Sequence, residues 1–301
     1  MSLAFSVLPL IFVIAAGYGL GKSGLIPREN WGGIEALSFR ALIPAMLVLA
    51  IAQTDLSVAR YGGFAVVLLG VLACLGGLAL VVWRLTGMSR ASAGSVFQLS
   101  VRWNAFVALA AADVFLADGI AVLAIAIALL IPTINVACIV VLAALGPAQA
   151  GPGQIARTVS RNPLVIACAI GLALNLSGVT LPESVASALD MIARGALAVG
   201  LMAIGAGISL RRLATLDARV GVSVLLRPVI GPVLFAGLGT LWGLPAMQLF
   251  AGVLVFAAPA ASNGYIIAKQ MGADAELYAD VMTWQVVLSM LCLPIWAALL
   301  L

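Results

Sequence analysis

Apolar runs about as long as the twenty residues that carry a helix across bilayer hydrocarbon recur ten times along the chain. They lie near 3–21, 32–53, 61–83, 93–116, 119–143, 163–179, 184–209, 218–242, 246–268 and 277–300. The loops between them are short, and no stretch is left over for a soluble domain. Composition agrees: 9% of residues are charged and 64% hydrophobic, against roughly 25% charged in a soluble domain. The expected fold class is therefore an all-α, multi-pass membrane protein of ten transmembrane helices. The first run lacks a basic leading segment and is followed at once by further spans, so it reads as a retained helix and not a cleaved signal.

The same sequence removes several kinds of chemistry. There is no histidine, and no GxGxxG, phosphate-loop or HExxH pattern, so an enzyme is not expected, nor a cofactor or metal site. Cys74, Cys138, Cys168 and Cys292 are dispersed singly and spell neither a metal site nor a disulfide framework. The net charge of +4 sits in inter-helix loops and not on a soluble face, which argues against nucleic acid as a partner. Those loop charges report topology. Alternate loops hold Lys22, Arg28, Arg84, Arg90, Arg157, Arg161, Arg211, Arg212, Arg219 and Lys269; the opposite loops hold Arg60. Basic loops stay cytoplasmic, so the expectation is an inner (plasma) membrane protein with both termini on the extracytoplasmic side.

The longest connection, from Gly146 to Asn162, falls between the fifth and sixth runs. It divides the chain into a first five-helix repeat (1–146), a cytoplasmic connector (147–162) whose basic piece Gln154 to Arg161 could lie on the inner membrane surface, and a second five-helix repeat (163–301). An odd number of spans in each half makes the second enter from the opposite side, the inverted-repeat arrangement of many secondary transporters. Sequence echoes point the same way. Ser23-Gly24-Leu25-Ile26-Pro27 returns as Ser177-Gly178-Val179-Thr180-Leu181-Pro182, and Glu35 and Asp190 each lie eight residues past their proline.

Two spans are interrupted. In the ninth, Ala257-Ala258-Pro259-Ala260-Ala261-Ser262-Asn263-Gly264-Tyr265 sets a proline and several polar or flexible residues at mid-membrane depth. Proline removes a backbone donor and clashes with the preceding turn, so the helix either kinks against its neighbours or opens beside a cavity. In the fourth, Ser100-Val101-Arg102-Trp103-Asn104-Ala105 is the corresponding interruption, which pairs Asn104 with Asn263. Matched polar breaks are the sequence mark of a midplane substrate site.

Three segments resemble the auxin efflux carrier family: Pro259 to Tyr265, Asn162-Pro163-Leu164 opening the sixth run, and Gly200 to Leu210 closing the seventh. Its bacterial members are described as transporters of malonate or related organic anions. The resemblance, which runs the whole length, implies helices 1, 2, 6 and 7 as a scaffold, and helices 3–5 and 8–10 as an elevator-type transport domain. It also implies that broken helices 4 and 9 cross, with Asn104 and Asn263 beside the crossing, and a possible homodimer through the scaffold. That family's first crossing helix usually reads Gly-Asn-Thr-Gly with a proline after it, whereas Asn104 here has no nearby glycine or proline.

The expected substrate-binding residues are Arg102, Asn104, Asn135, Pro259, Ser262, Asn263 and Gly264. Arg102 is the most informative, because a mid-span arginine is expensive and its planar fork suits a carboxylate; the alternative is pairing with an internal acid or a water-filled vestibule. On an intact helix residues 102 and 104 face different ways, so both reach one ligand only if the turn unwinds. Pro132 and Asn135 form another polar kink, which either completes the site or caps a bend. Asp113 and Asp280 are coupling candidates for H+ or Na+, or plain solvated span ends. Asp190 and Arg194, four apart, read as a structural pair. Glu35 and Arg40 are five apart and are expected to snorkel separately, as is Arg227. The function so expected is secondary active transport of a small, malonate-like mono- or dicarboxylate. A sodium-coupled symporter of the bile-acid-carrier type and a passive channel are the alternatives.

Overall fold

A computed structural model describes residues 8–53, 58–116, 119–145, 153, 157, 160–214 and 216–301, and among them every regular element is helical. Most of the connector, including 154–156 and 158–159, falls outside the described residues. In chain order the helices are α1 (Leu8–Ser23), α2 (Arg28–Leu37), α3 (Ile43–Ala52), α4 (Val58–Thr86), α5 (Arg90–Val101), α6 (Ala105–Phe115) and α7 (Gly119–Leu145). The second half runs α8 (Pro163–Ser177), α9 (Glu183–Gly207), α10 (Ala218–Leu225), α11 (Gly231–Trp242), α12 (Ala246–Ala257), α13 (Asn263–Gln270) and α14 (Ala275–Leu300). Among the described residues, six continuous helical stretches are long and apolar enough to cross a membrane: 29–52, 61–86, 122–145, 183–207, 218–242 and 275–300. This makes the chain a multi-pass integral membrane protein. α1, α8 and α12 are apolar but shorter.

The fourth and ninth apolar runs are each split, the fourth into α5 and α6 and the ninth into α12 and α13. The approach to each break is the same. A glycine with positive φ, Gly87 (65°) or Gly243 (74°), ends the preceding helix in a conformation side chains resist. A twelve-residue helix follows, α5 or α12. It ends on extended backbone at Arg102 (φ −73°, ψ 142°) or Ala258 (φ −62°, ψ 145°). The loops that echo in sequence also agree in shape: Gly24 and Gly178 have φ of 75° and 66°, and Pro27 and Pro182 open their helices at nearly the same dihedrals.

Packing sorts the helices into two groups. α1 lies along α9, and α3 along α8. The first pair touches backbone to backbone, since a Cβ added at Gly205 would come within 1.9 Å of the Ile14 carbonyl oxygen. α4, α5, α7, α11, α12 and α14 form the second group. The groups meet where α7 packs on α3 and α8, and where Phe106 of α6 fills the space left by Gly200 of α9, whose added Cβ would lie 2.1 Å from the ring.

Two π turns interrupt otherwise continuous helices. One, Ser38–Leu42, joins α2 to α3, with the Ile43 N–H donating to the Ser38 carbonyl. The other, Leu226–Ile230, joins α10 to α11, with the Gly231 N–H donating to the Leu226 carbonyl. Pro228 and Pro232, neither with an N–H to donate, favour a widened turn at the second.

Candidate functional site

The breaks lie against each other. Between α5 and α6 the chain is non-helical over Arg102 to Asn104, and between α12 and α13 over 258–262. The Asn104 N–H donates to the Pro259 carbonyl at 2.8 Å, tying one break to the other. The fourth run thus opens without a glycine or proline. What replaces them is Asn104 itself, whose Oδ1 accepts from the Phe106 and Val107 N–H groups at 3.1 and 3.4 Å and starts α6 afresh.

Opening both helices orphans backbone groups, and side chains satisfy them from behind. Arg227, 0% exposed, donates to the carbonyls of Ser100 and Val101 at the end of α5 and of Val255 and Ala258 at the end of α12, at 2.8–3.2 Å. Gln285 of α14 accepts from the Ala260 N–H and donates to the Leu99 and Ser223 carbonyls. The Tyr278 hydroxyl donates to the Ala261 carbonyl at 2.6 Å. Sequence reasoning expected Arg227 to snorkel. The structure corrects this: the π turn places it inside the bundle, where four carbonyls hold its guanidinium away from any interface. Its sequence signal was the depth of an arginine nine residues into an apolar run.

In front of the breaks is a cavity of about 270 Å³. Arg102, Asn104, Asn135, Ser262 and Asn263 all line it, together with Glu35, Arg40, Trp103 and Asn162. Because residues 102–104 are extended, Arg102 and Asn104 reach the same space. Arg102 is 4% exposed; its Nε donates to Gln98 Oε1 at 3.0 Å and its Nη1 to Asn135 Oδ1 at 3.3 Å. Its Nη2, the Trp103 Nε1 and the Asn263 Oδ1 are buried without a protein partner. Both helices that restart at the breaks, α6 and α13, put their N-terminal residues on this cavity, and helix N-termini carry partial positive charge. Two buried donors, Arg102 Nη2 and Trp103 Nε1, with Arg40 and two positive helix ends, outweigh the Glu35 carboxylate and the Asn263 Oδ1 acceptor around a space sized for a small molecule, an arrangement that favours an anion.

Pro259 and Gly264 do not line the cavity. Pro259 supplies the carbonyl that Asn104 meets, and Gly264 packs against Tyr278, whose hydroxyl would lie 2.0 Å from an added Cβ. Sequence reasoning also missed Glu35 and Arg40. Both line the cavity, and the Ser262 hydroxyl donates to Glu35 Oε1. The π turn explains the correction: it holds one residue more than an α turn, so positions five apart across it share a face. A second cavity of about 720 Å³, lined by Lys22, Trp31 and Arg211 among others, shares Gly32, Glu35, Asn104 and Ser262 with the first. Those four residues form the partition between them.

The remaining expected residues stand elsewhere. Asp113 is exposed in the last turn of α6. Asp280 is 2.6 Å from Arg212, which also pairs with Glu276 at 2.9 Å. Asp190 and Arg194 pair at 2.6 Å on an exposed face of α9. Among the described residues no group of three or more acids or cysteines is gathered as for a metal ion.

Residues 152–297 match the protein family described as membrane transport protein. No curated protein matches the chain.

Proposed function

We propose that this chain, whose residues 152–297 match the family described as membrane transport protein, is a member of the auxin efflux carrier family and a secondary active transporter of a small organic anion, a malonate-like mono- or dicarboxylate. The observation that carries this reading is the buried Arg102 guanidinium, with Nη2 unpartnered, on a cavity where the N-termini of α6 and α13 meet. With Nε held by Gln98 and Nη1 by Asn135, Nη2 is the arm left to donate a charge-assisted hydrogen bond to a carboxylate. The Trp103 N–H adds a neutral donor, and 270 Å³ falls just below the roughly 300–1,000 Å³ of drug-sized sites, as suits a small acid.

In this reading the two breaks are the centre of an inverted repeat of five spans each, supported by the matching glycines, helix lengths and dihedrals at corresponding points. Spans 1, 2, 6 and 7 serve as a scaffold, and spans 3–5 and 8–10 slide against it as one body carrying the anion. The contact of Phe106 with Gly200 and that of Ser262 with Glu35 lie between the two bodies, so both change as the carrier moves. The end bearing Lys22 and Arg211 is cytoplasmic by the bias of basic loops, which puts both termini outside. A homodimer through the scaffold belongs to the same reading. Glu35 is a better coupling carboxylate than Asp113 or Asp280, since it shares a hydrogen bond with the site.

Uptake of labelled malonate and related acids into vesicles tests the assignment. Saturable uptake with counterflow is expected, falling at least tenfold in Arg102→Ala and Asn263→Ala while protein yield is unchanged. Undiminished uptake in both variants, or large unitary currents in a planar bilayer, would discard this site or the carrier mechanism respectively.

A further inference from the structure

Arg227 has no carboxylate partner among the described residues, yet it is fully buried. A lone charge in a low-dielectric interior is costly unless compensated. The compensation comes from backbone: its five N–H donors meet four carbonyls, two at the end of α5 and two at the end of α12, and its guanidinium lies 5.6 Å from the Phe256 ring centroid. A helix C-terminus is equivalent to about half a negative charge. Two of them, brought together by the breaks, present about one negative charge to a single cation. In broken-helix transporters such carbonyl ends coordinate free Na+.

The geometry points to Arg227 as the resident cation of this junction: its guanidinium fills the carbonyl cage that a free monovalent cation would otherwise take, and so fixes the two breaks in register while making the junction independent of Na+. It is a positioning residue, since it does not line the cavity and holds the carbonyls of Ser100, Val101, Val255 and Ala258, which precede the break residues that do. The inference rests on the cage and not on the identity of the anion. Pro228 and the π turn follow from it. An arginine on a regular helix would leave along the helix surface, whereas the widened turn sends it between the two broken helices.

Thermal unfolding of the purified full chain, without substrate, tests this. The wild type is expected to show the same midpoint in NaCl, KCl and choline chloride at equal ionic strength. A Na+-specific rise would overturn the proposal. Arg227→Ala empties the cage, and its lowered midpoint is expected to rise by several degrees with guanidinium ion at concentrations that lower the wild-type midpoint, because a ligand of the folded state shifts the equilibrium toward it. Na+ relative to choline should do the same to a smaller extent. If neither ion raises it, Arg227 is only a packing residue and the proposal fails. Should Arg227→Ala not fold, Arg227→Lys and Arg227→Met carry the comparison: the lysine variant is expected to lie clearly above the methionine variant, and equal midpoints would refute a cation role. Because no organic anion is present in these measurements, failure of the transport assay would leave their outcome unaffected.

Discussion

Individual residues at the junction divide into those that face the cavity and those that hold its walls. Arg102 and Asn263 face it, and their removal is expected to cost transport and not stability. Gly264 holds a wall. A methyl group there would fall 2.0 Å from the Tyr278 hydroxyl, which is itself fixed to the Ala261 carbonyl. Gly264→Ala is therefore expected to destabilise the protein by about 1–3 kcal/mol, the usual cost of overpacking a closed site. A lowered thermal midpoint, partly restored by Tyr278→Phe in the same chain, would verify the contact; an unchanged midpoint would show that the helix moves aside. Neither residue's role could be separated by sequence, because both sit in one polar motif. Which of them looks forward depends on the turn that α13 makes after the break.

At the scale of elements, helix ends carry most of the polar work. Asn104 and Asn162 cap α6 and α8 with their own side chains, so each helix starts where an amide can take over two orphaned N–H groups. Asp217 does the same for α10: its Oδ1 accepts from the Val220 N–H at 2.9 Å. That hydrogen bond, with the Arg219 guanidinium beside it, holds the Asp217 carboxyl below the usual carboxylate range. A lowered folded-state pKa means the cap contributes above the unfolded value, near 3.9, and is lost as pH falls through the folded one. Asp217→Ala is expected to cost about 1 kcal/mol at neutral pH, with the difference from wild type vanishing in strong acid. Midpoints measured across pH would check it, and a difference that persists at the acid end would assign the effect to something other than the carboxylate. The π turns belong to this scale as well. Glu35 and Arg40 were read from α-helical spacing, and one inserted residue brings both to the cavity.

For the whole molecule, the question is whether the two packed groups move as bodies. α1 and α9 touch through backbone at Gly205 and Gly17, which leaves no room for sliding between them. The contact of Phe106 with Gly200 is a ring against a helix, and a ring can leave its groove. A cysteine pair at Phe106→Cys and Gly200→Cys, oxidised in vesicles, is expected to abolish uptake reversibly, while a pair at Gly21→Cys and Ala206→Cys, where an added Cβ at Gly21 would lie 3.1 Å from the Ala206 Cβ, is expected to leave it intact. Uptake that survives a complete cross-link between α6 and α9 would rule out relative motion at that surface. The native cysteines Cys74, Cys138, Cys168 and Cys292 make the chain without either pair the necessary control.

Sequence by itself determined the membrane, the helices and the positions of the two breaks, because each follows from local chemistry. A run of apolar residues has no other stable solvent, and Pro259, Asn104 and their neighbours act on the turn they occupy. It also named five residues that line the cavity, since polar groups in lipid need a shared reason to be there. Only the tertiary structure decided what stands behind the breaks. The carbonyls freed at Ser100, Val101, Val255 and Ala258 lie more than a hundred residues apart in pairs, and the side chain that meets all four comes from a third helix. No periodicity along one chain encodes that meeting, and it arises because a buried charge and unpaired carbonyls in a low-dielectric interior are stable only together.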